Sequence, residues 1–168
     1  MPDPPELDVG RLLGVLAAHQ VRYVLIGGFA AIAHGSPFPT EDVDITPDAE
    51  AANVARLSDA LRELGARIRT ESAPGGLVFE HDASSLVAVK NWNLTTRYGD
   101  LDIAFRPDGT TGYADLVRHS RAEEAFGLMI TVASLADIIR SKQAANRPKD
   151  QRVLPTLRRL LAERHRGD

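Results

Sequence analysis

The spacing of hydrophobic residues near the start of the chain predicts a helix followed directly by a strand. Apolar side chains recur three and four positions apart over residues 8–19, which is the period of an amphipathic helix, and Asp8 is placed to cap it. Residues 23–26 form a short apolar run of the kind found in buried strands. This strand ends at Gly27-Gly28, where the backbone can turn tightly or approach a ligand closely.

The same pattern predicts short helices and strands along the rest of the chain. In the first half we expect a small-residue helix over 29–34, a loop over 35–40, a strand over 42–45 and a helix capped by Asp48 and ending near 64. Residues 66–81 alternate around 73–76, which predicts a hairpin or paired edge strands. In the second half we expect a short helix over 84–90, strands over 93–96 and 101–105, a helix over 113–119 and a strand over 129–132. Ser134 and Asp137 have the spacing of a capping box for a helix ending near 145. Pro148 opens a final helix, and Pro155 inside it should kink or restart that helix because proline lacks a backbone donor.

Length and composition fit one globular domain. The chain has 168 residues, of which 43% are hydrophobic and 26% charged, so it can bury a core. The absence of cysteine excludes disulfides, thiolate catalysis and cysteine-ligated metals. The first residues, MPDPPELD, are acidic and rich in proline, and no apolar run approaches the roughly 18 residues of a membrane span. We therefore expect a cytoplasmic protein that does not associate with a membrane.

Charge is distributed unevenly along the chain. Residues 1–139 carry 11 Lys or Arg against 20 Asp or Glu, whereas residues 140–168 carry 9 against 3. An acidic body therefore ends in a basic helical tail. Two interpretations stay open: a solvated helix face, or a surface that contacts a polyanion such as a nucleoside triphosphate or RNA.

The strongest chemical signal is a pair of aspartates on a predicted strand. Asp42 and Asp44 are two positions apart, so both carboxylates project from one face of that strand. Carboxylate oxygens are preferred ligands of Mg²⁺, which also keeps open positions for water and phosphate. An Asp-x-Asp pair also occurs by chance at exposed strand ends, so the pair alone does not establish a metal site.

Two further features strengthen this interpretation. Gly27-Gly28 lies between a strand and a helix, where backbone N–H groups can receive a phosphate, and 13 residues separate it from Asp42. Asp102 lies on a second alternating segment that could pair beside the first strand. Three clustered carboxylates would suit two metal ions, although Asp100 on the same strand face is a rival for the third position.

In combination these residues resemble the nucleotidyltransferase superfamily of the polymerase-β-like fold. The resemblance rests on VLIGGFAAIAHGSPFPTEDVDI at 24–45, on LTTRYGDLDIAFRPDG at 94–109 and on LADIIRSKQAANRPKDQRVL at 135–154. Within that superfamily the chain is similar to the compact bacterial branch that includes AbiE-type abortive-infection toxins. The resemblance implies an α+β fold, in which a small mixed or antiparallel sheet is flanked by helices and followed by C-terminal helices. It further implies a flexible arm at 1–8, a nucleotidyltransferase core at 9–133 and basic helices at 134–168 packed on that core.

The resemblance also assigns roles to individual residues. Asp42, Asp44 and Asp102 would be the catalytic, metal-binding carboxylates. Residues on the nucleotide side would be Gly27 and Gly28, which form the phosphate-side turn, and Lys142, which contacts the triphosphate. Further candidates on that side are Ser36 and Thr40, whose hydroxyls could bond phosphate or satisfy the loop backbone.

The sequence departs from the family pattern at two places. Phe38 occupies a loop position where related proteins carry a basic residue. The Arg147-Pro148-Lys149-Asp150 element matches the family, but Gln151 and the residues after it lack the second acidic residue. The C-terminal part of the site is therefore less well defined than the carboxylates.

The implied reaction is transfer of a nucleoside monophosphate from an NTP to a hydroxyl acceptor with Mg²⁺ or Mn²⁺. The toxin resemblance favours RNA, especially a transfer RNA, as acceptor and implies a cognate antitoxin as partner. A small hydroxyl compound, as in antibiotic-modifying enzymes, is the alternative. A non-catalytic nucleotide-binding module of the same fold is a third hypothesis. The helical tail could also bury a face in an oligomer.

Overall fold

One mixed sheet of eight strands organises the computed structural model, which describes residues 5–167. The strands are β1 (Tyr23–Ile26), β2 (Asp42–Pro47), β3 (Arg67–Thr70), β4 (Ala73–Leu77), β5 (Asn91–Thr96), β6 (Gly99–Ala104), β7 (Arg121–Ala125) and β8 (Leu128–Val132). The helices are α1 (Val9–Ala18), α2 (Gly27–Ala33), α3 (Ala51–Glu63), α4 (Ala83–Val87), α5 (Tyr113–Val117), α6 (Leu135–Ala145) and α7 (Pro148–Gly167). The predicted α+β class is confirmed. Residues 1–4 of the predicted N-terminal arm lie outside the described residues.

The strand order across the sheet is β4-β3-β5-β6-β2-β1-β8-β7. Strand β2 pairs in parallel with β6, and β1 pairs in parallel with β8, whereas the other neighbours are antiparallel. The two aspartate-bearing strands are therefore direct neighbours near the centre of the sheet. This central position gives their side chains a rigid base.

Alternation along the two central strands separates the core from a polar face. Val43 and Ile45 on β2, and Leu101 and Ile103 on β6, are at most 1% exposed. Burying one such side chain contributes roughly 2 kcal/mol of stability. Because successive side chains point to opposite faces, the aspartates that alternate with these residues all project from the other face. They are Asp42 and Asp44 on β2 and Asp100 and Asp102 on β6.

The predicted start of α1 is confirmed by its capping contact. The Asp8 carboxylate accepts a hydrogen bond from the Arg11 backbone N–H at 3.1 Å. Leu12, Leu13 and Leu16 then form the buried stripe of the helix. The Ser134 hydroxyl caps α6 in the same way, accepting from the Asp137 N–H at 3.1 Å.

Asp48 does not cap α3, which is a correction to the sequence prediction. The helix begins at Ala51, three residues later, with Glu50 at the N-cap position. The Asp48 carboxylate instead accepts from the Glu50 N–H at 3.1 Å and from the Arg22 guanidinium at 3.0 Å. The Asp48 side chain is therefore engaged in a long-range ion pair with Arg22 and does not cap the N-terminus of α3.

The hairpin of residues 66–81 exists, but its turn lies earlier than predicted. Strand β3 ends at Thr70 and β4 begins at Ala73, so residues 73–76 belong to the second strand. Gly76 adopts φ +81°, and an added Cβ would lie 2.6 Å from the Cβ of Arg67. The glycine therefore allows the two strands to approach closely and does not form the turn.

Strand β7 was not predicted, because its hairpin with β8 lacks the usual turn residues. The two loop residues, Phe126 and Gly127, have φ values of 56° and 72°. Positive φ at both positions is the requirement of a type I′ turn, which normally selects Asn-Gly or Asp-Gly. A phenylalanine at the first position concealed the hairpin.

Helix α7 continues through Pro155, so of the two predicted outcomes, a kink or a restart, the restart does not occur. Pro155 is exposed, and the Gln151 carbonyl that loses its helical donor can bond to water instead. Over residues 5–167, every helix is too short or too polar to cross a membrane.

Candidate functional site

Three aspartates from β2 and β6 form a compact cluster. The parallel register places Asp44 beside Asp102 and Asp42 beside Asp100. One carboxylate oxygen from each of Asp42, Asp44 and Asp102 lies within 4.8 Å of the other two. Asp100 lies outside this group, so the geometry separates the two rivals for the third position.

Burial and the crowding of like charges raise the pKa values of Asp44 and Asp102. Burial is the main cause that raises the pKa of Asp44 well above its usual value, and the charges of Asp42 and Asp102 add to it. The pKa of Asp102 is raised to about 6, first by burial and then by the charge of Asp42. A divalent cation would relieve this repulsion, and an all-carboxylate set is the chemistry that Mg²⁺ and Mn²⁺ prefer.

The Gly27-Gly28 turn lies directly against the carboxylates. Gly27 has φ +69°, and a Cβ added there would stand 2.7 Å from the carboxylate carbon of Asp44. A Cβ on Gly28 would stand 2.7 Å from the Thr40 hydroxyl. Both positions therefore require glycine to bring the backbone beside Asp44 and Thr40.

The loop between α2 and β2 makes the contacts expected of an ordered loop. The Ser36 hydroxyl accepts from the Phe38 N–H at 3.3 Å. The Thr40 hydroxyl donates to the Asp42 carbonyl at 3.3 Å and lies 3.4 Å from its carboxylate. Both hydroxyls also face the cleft described below, so they satisfy the loop while lying beside the carboxylates.

The junction between α6 and α7 supplies the basic side of the site. The Asp150 side chain is fully buried, and Arg147 donates to it from Nε at 2.8 Å and from its backbone at 3.1 Å. The Lys142 ammonium lies 3.7 Å from the other Asp150 oxygen. Although burial opposes ionisation, the Arg147 hydrogen bonds hold the pKa of Asp150 below its usual value. The charge of Lys149 acts on Asp44 and offsets part of the rise in its pKa.

These two groups face each other across a cleft of about 490 Å³. Every site residue predicted from the sequence lines this cleft, namely Gly27, Gly28, Ser36, Thr40, Asp42, Asp44, Asp102 and Lys142. Phe38 lines it as well, at the position where a basic residue was expected. The size suits a small organic ligand.

His34 links the two sides of the cleft. Its Nε2 lies 2.7 Å from the Ala133 carbonyl, and its Nδ1 lies 2.7 Å from a guanidinium nitrogen of Arg164 on α7. Burial is the main cause that lowers the pKa of His34. The ring is therefore neutral, donating from Nε2 and accepting at Nδ1.

Three residues near the carboxylates were not predicted from the sequence: Arg69, and Asn91 and Asn93, which line the cleft. In the antiparallel register of β5 and β6, Asn93 stands beside Asp102. Arg69 on β3 reaches the same carboxylate, with its Nη2 at 2.9 Å from Asp102 Oδ1. The alternation of polar residues in β5 was a usable signal, whereas the contact of Arg69 depends on a strand pairing that no motif marks.

Comparison with known proteins identifies the fold. By sequence, no family model and no curated protein matches the chain. By structure, the chain is similar to the lincosamide antibiotic adenylyltransferase LnuA bound to lincomycin, at TM-score 0.59 and 15% identity, covering 92% of this chain and 99% of that one. The fold is that of nucleotidyltransferases.

Two further solved structures agree. The nucleotidyltransferase TM1012 of Thermotoga maritima matches at TM-score 0.50 and 20% identity, over 94% of this chain and 97% of that one. The antibiotic-resistance factor ANT(2'')-Ia matches at TM-score 0.51 and 16% identity, over 94% and 93%. None of these structures bears on the AbiE-type branch, which stays a prediction.

Proposed function

We propose that this protein is a nucleotidyltransferase that transfers a nucleoside monophosphate from an NTP to a hydroxyl acceptor with the help of Mg²⁺ or Mn²⁺. The observation that carries the proposal is the cluster of Asp42, Asp44 and Asp102, with oxygens within 4.8 Å of one another. The cluster lies in a cleft that also presents the Gly27-Gly28 turn and the basic residues of α6 and α7.

The donor set fits a hard divalent cation. All three groups are carboxylates on neighbouring central strands. Within residues 5–167, Asp102 forms an ion pair with Arg69, whereas Asp42 and Asp44 form none. When bound, such a cation polarises the phosphate and lowers the pKa of the attacking hydroxyl. Asp42, Asp44 and Asp102 would hold it.

The residues of this chain then supply binding, orientation and proton transfer. The acceptor oxygen attacks the α-phosphorus, the bond from that phosphorus to the bridging oxygen breaks, and pyrophosphate leaves. The Asp102 carboxylate, which lines the same cleft, receives the proton of the acceptor hydroxyl. Fixed geometry and charge neutralisation account for most of the rate enhancement in such transfers.

The triphosphate would lie between the glycine turn and the α6–α7 junction. Lys142 faces the cleft but shares its charge with Asp150, whereas Lys149 is exposed and acts on Asp44. The Ser36 hydroxyl and the backbone N–H of Gly28 are additional donors on this side, whereas the Thr40 O–H already donates to the Asp42 carbonyl.

For the acceptor we propose a small hydroxyl compound. The cleft of about 490 Å³ is of the size that holds small ligands. The chain also covers 99% of LnuA, an adenylyltransferase of lincosamide antibiotics. Both observations favour a small-molecule acceptor.

RNA is the second candidate, because helix α7 exposes a series of arginines. Arg152, Arg158, Arg159 and Arg166 are exposed and form no ion pair within residues 5–167. Such side chains supply the phosphate contacts of nucleic-acid binding. The toxin role and an antitoxin partner stay predictions that rest on the sequence resemblance.

A transfer assay tests the proposal. The protein is incubated with Mn²⁺ or Mg²⁺, each α-labelled NTP in turn, and either total RNA or a mixture of aminoglycosides, lincosamides and simple polyols. We expect label in a small compound, and no label with Asp44→Asn. Asp59→Asn is the matched control, because Asp59 is exposed and pairs only with Arg62 among the described residues. Label in RNA would favour the second candidate, and nucleotide binding without any product would favour a non-catalytic module.

A further inference from the structure

The Arg69 guanidinium lies between two carboxylates of β6. Its Nη2 donates to Asp102 Oδ1 at 2.9 Å, and its Nη1 lies 3.4 Å from Asp100 Oδ2. Nη1 also donates to the backbone carbonyl of Leu94 at 2.9 Å. The guanidinium therefore has a fixed position, set by one backbone group and two side chains.

The sheet register shows from which direction Arg69 approaches. Strand β5 lies between β3 and β6, and its Asn93 stands beside Asp102. Asp44 lies beside Asp102 on the opposite side, from β2. Arg69 thus reaches across β5 and binds Asp102 from the side that faces away from Asp42 and Asp44.

This arrangement gives the Asp102 carboxylate a partner on one side and the aspartate cluster on the other. Oδ1 accepts the bond from Arg69. The carboxylate as a whole still contributes an oxygen to the cluster with Asp42 and Asp44. A carboxylate held by a hydrogen bond has a fixed plane, which is how outer partners orient metal ligands.

The same arrangement explains Asp100. Although it lies two residues before Asp102 on the same strand face, it is not part of the cluster. Its contact within the described residues is the Arg69 guanidinium. Asp100 therefore anchors the residue that holds Asp102.

We propose that Arg69, anchored by Asp100 and the Leu94 carbonyl, is a positioning residue that orients the Asp102 carboxylate for cation binding. The inference rests on the proposed function and deepens it, since it assigns a role to two residues on the side of the cluster away from the glycine turn. The competing explanation is that Arg69 only balances charge. The two explanations predict opposite effects on metal affinity, because a nearby positive charge by itself weakens the binding of a cation.

Binding of Mn²⁺ alone, measured by calorimetry on the full chain without nucleotide, separates them. We expect Arg69→Met to weaken Mn²⁺ binding about 10-fold to 100-fold, the effect of losing an outer partner of a metal ligand. Arg69→Lys keeps the charge but not the planar fork, so it should weaken binding nearly as much. Unchanged or tighter binding in Arg69→Met would overturn the proposal, as would wild-type affinity in Arg69→Lys.

Two further variants complete the test. Arg67→Lys is the matched control, because Arg67 lies on the same strand and forms no side-chain ion pair within residues 5–167; we expect wild-type affinity. Asp100→Asn removes the anchor while leaving Arg69 and Asp102 in place, and it should weaken binding in the same direction but less. It also keeps the proposal testable if the Arg69 variants do not fold.

Turnover provides a second readout. With saturating Mn²⁺, Arg69→Lys should lower kcat while leaving the KM for NTP unchanged, because the proposed role of Asp102 is to receive the proton of the acceptor hydroxyl and not to bind the triphosphate. A rise in KM with unchanged kcat would contradict the positioning role. If the wild type binds Mn²⁺ and the variants bind it with the same affinity, this inference alone is overturned. If the wild type does not bind Mn²⁺, the proposed function is contradicted too.

Discussion

Asp44 and Asp150 line the same cleft, yet their pKa values are shifted in opposite directions. Burial and the neighbouring carboxylates raise the pKa of Asp44, whereas the hydrogen bonds of Arg147 lower that of Asp150 against the effect of burial. Asp150 is thus a carboxylate whose partners are already present. Asp44 is a carboxylate surrounded by like charges, as expected of a group that binds a cation.

This difference distinguishes a binding group from an anchoring group. The acidic side of the cleft is placed by two central strands and contributes repulsion to the folded protein. The basic side is placed by the α6–α7 junction, where Asp150 is paired with Arg147 and Lys142. We therefore expect substitutions on the acidic side to affect activity, and substitutions of Asp150 to affect stability.

The largest expected effect is on transfer activity. Asp44→Asn should lower kcat/KM about 1,000-fold or more, which corresponds to about 4 kcal/mol of transition-state stabilisation. Steady-state release of pyrophosphate measures it. A loss of less than tenfold would contradict the assignment of Asp44 as a metal ligand, provided that Asp59→Asn retains full activity.

Gly27→Ala should disrupt the arrangement of carboxylates on the acidic side of the cleft without removing a charge. The added Cβ would meet the Asp44 carboxylate carbon at 2.7 Å, and φ +69° is unfavourable for alanine. We expect the carboxylate to be displaced and kcat/KM to fall about 100-fold, by analogy with the cost of misplacing a reacting group by about 1 Å. Gly14→Ala is the control, since a Cβ there meets no atom within 4 Å. Equal activity of both variants would show that the close approach is unimportant.

Asp150→Asn tests the basic side. Loss of the charged partner of Arg147 and Lys142 should lower the free energy of unfolding by about 1.5–3 kcal/mol, the contribution of hydrogen bonds to charged groups. Urea denaturation at pH 7 measures this change. Asp108→Asn, at an exposed ion pair with Lys90, should cost less than about 1 kcal/mol. If both variants were equally stable, Asp150 would not be an anchor.

The smallest expected effect concerns His34, which connects α2 of the acidic side to α7 of the basic side. Because burial lowers its pKa in the folded state, the unfolded state binds the proton first as pH falls below about 6.5. Stability should therefore be complete above that pH and fall below it, by at most about 1.4 kcal/mol per pH unit, until the lowered pKa of the folded state is reached. The difference in unfolding free energy between wild type and His34→Gln, followed from pH 7.5 to 5, should show this dependence. A pH-independent difference would contradict a neutral, buried ring.

The sequence permits prediction of the acidic side because its determinants are local. Alternation along a strand places Asp42 and Asp44 on one face, and a second alternating segment supplies Asp102. The choice between Asp100 and Asp102 could not be made from periodicity, because both lie on the same face. The parallel register gives each of them an aspartate neighbour on β2, and only the positions of the carboxylate oxygens, which place Asp102 and not Asp100 in the cluster, separate them.

Features that depend on distant contacts could not be predicted. Asp48 was predicted as a helix cap because of its position, but it pairs with Arg22, which is 26 residues away in the chain. The role of Arg69 depends on the order of β3, β5 and β6, which no local pattern encodes. Strand β7 was missed because its turn uses Phe126, for which positive φ is uncommon.

The most direct test of the central claim is the stability of wild type and Asp44→Asn with and without Mn²⁺. Because the pKa of Asp44 is raised in the folded state, its ionised form destabilises the protein at neutral pH. Without Mn²⁺ we expect Asp44→Asn to unfold at a higher temperature than the wild type. Addition of Mn²⁺ should then stabilise the wild type and leave the variant unchanged. A variant that is less stable than the wild type without Mn²⁺, and that gains as much from Mn²⁺ as the wild type does, would contradict the account.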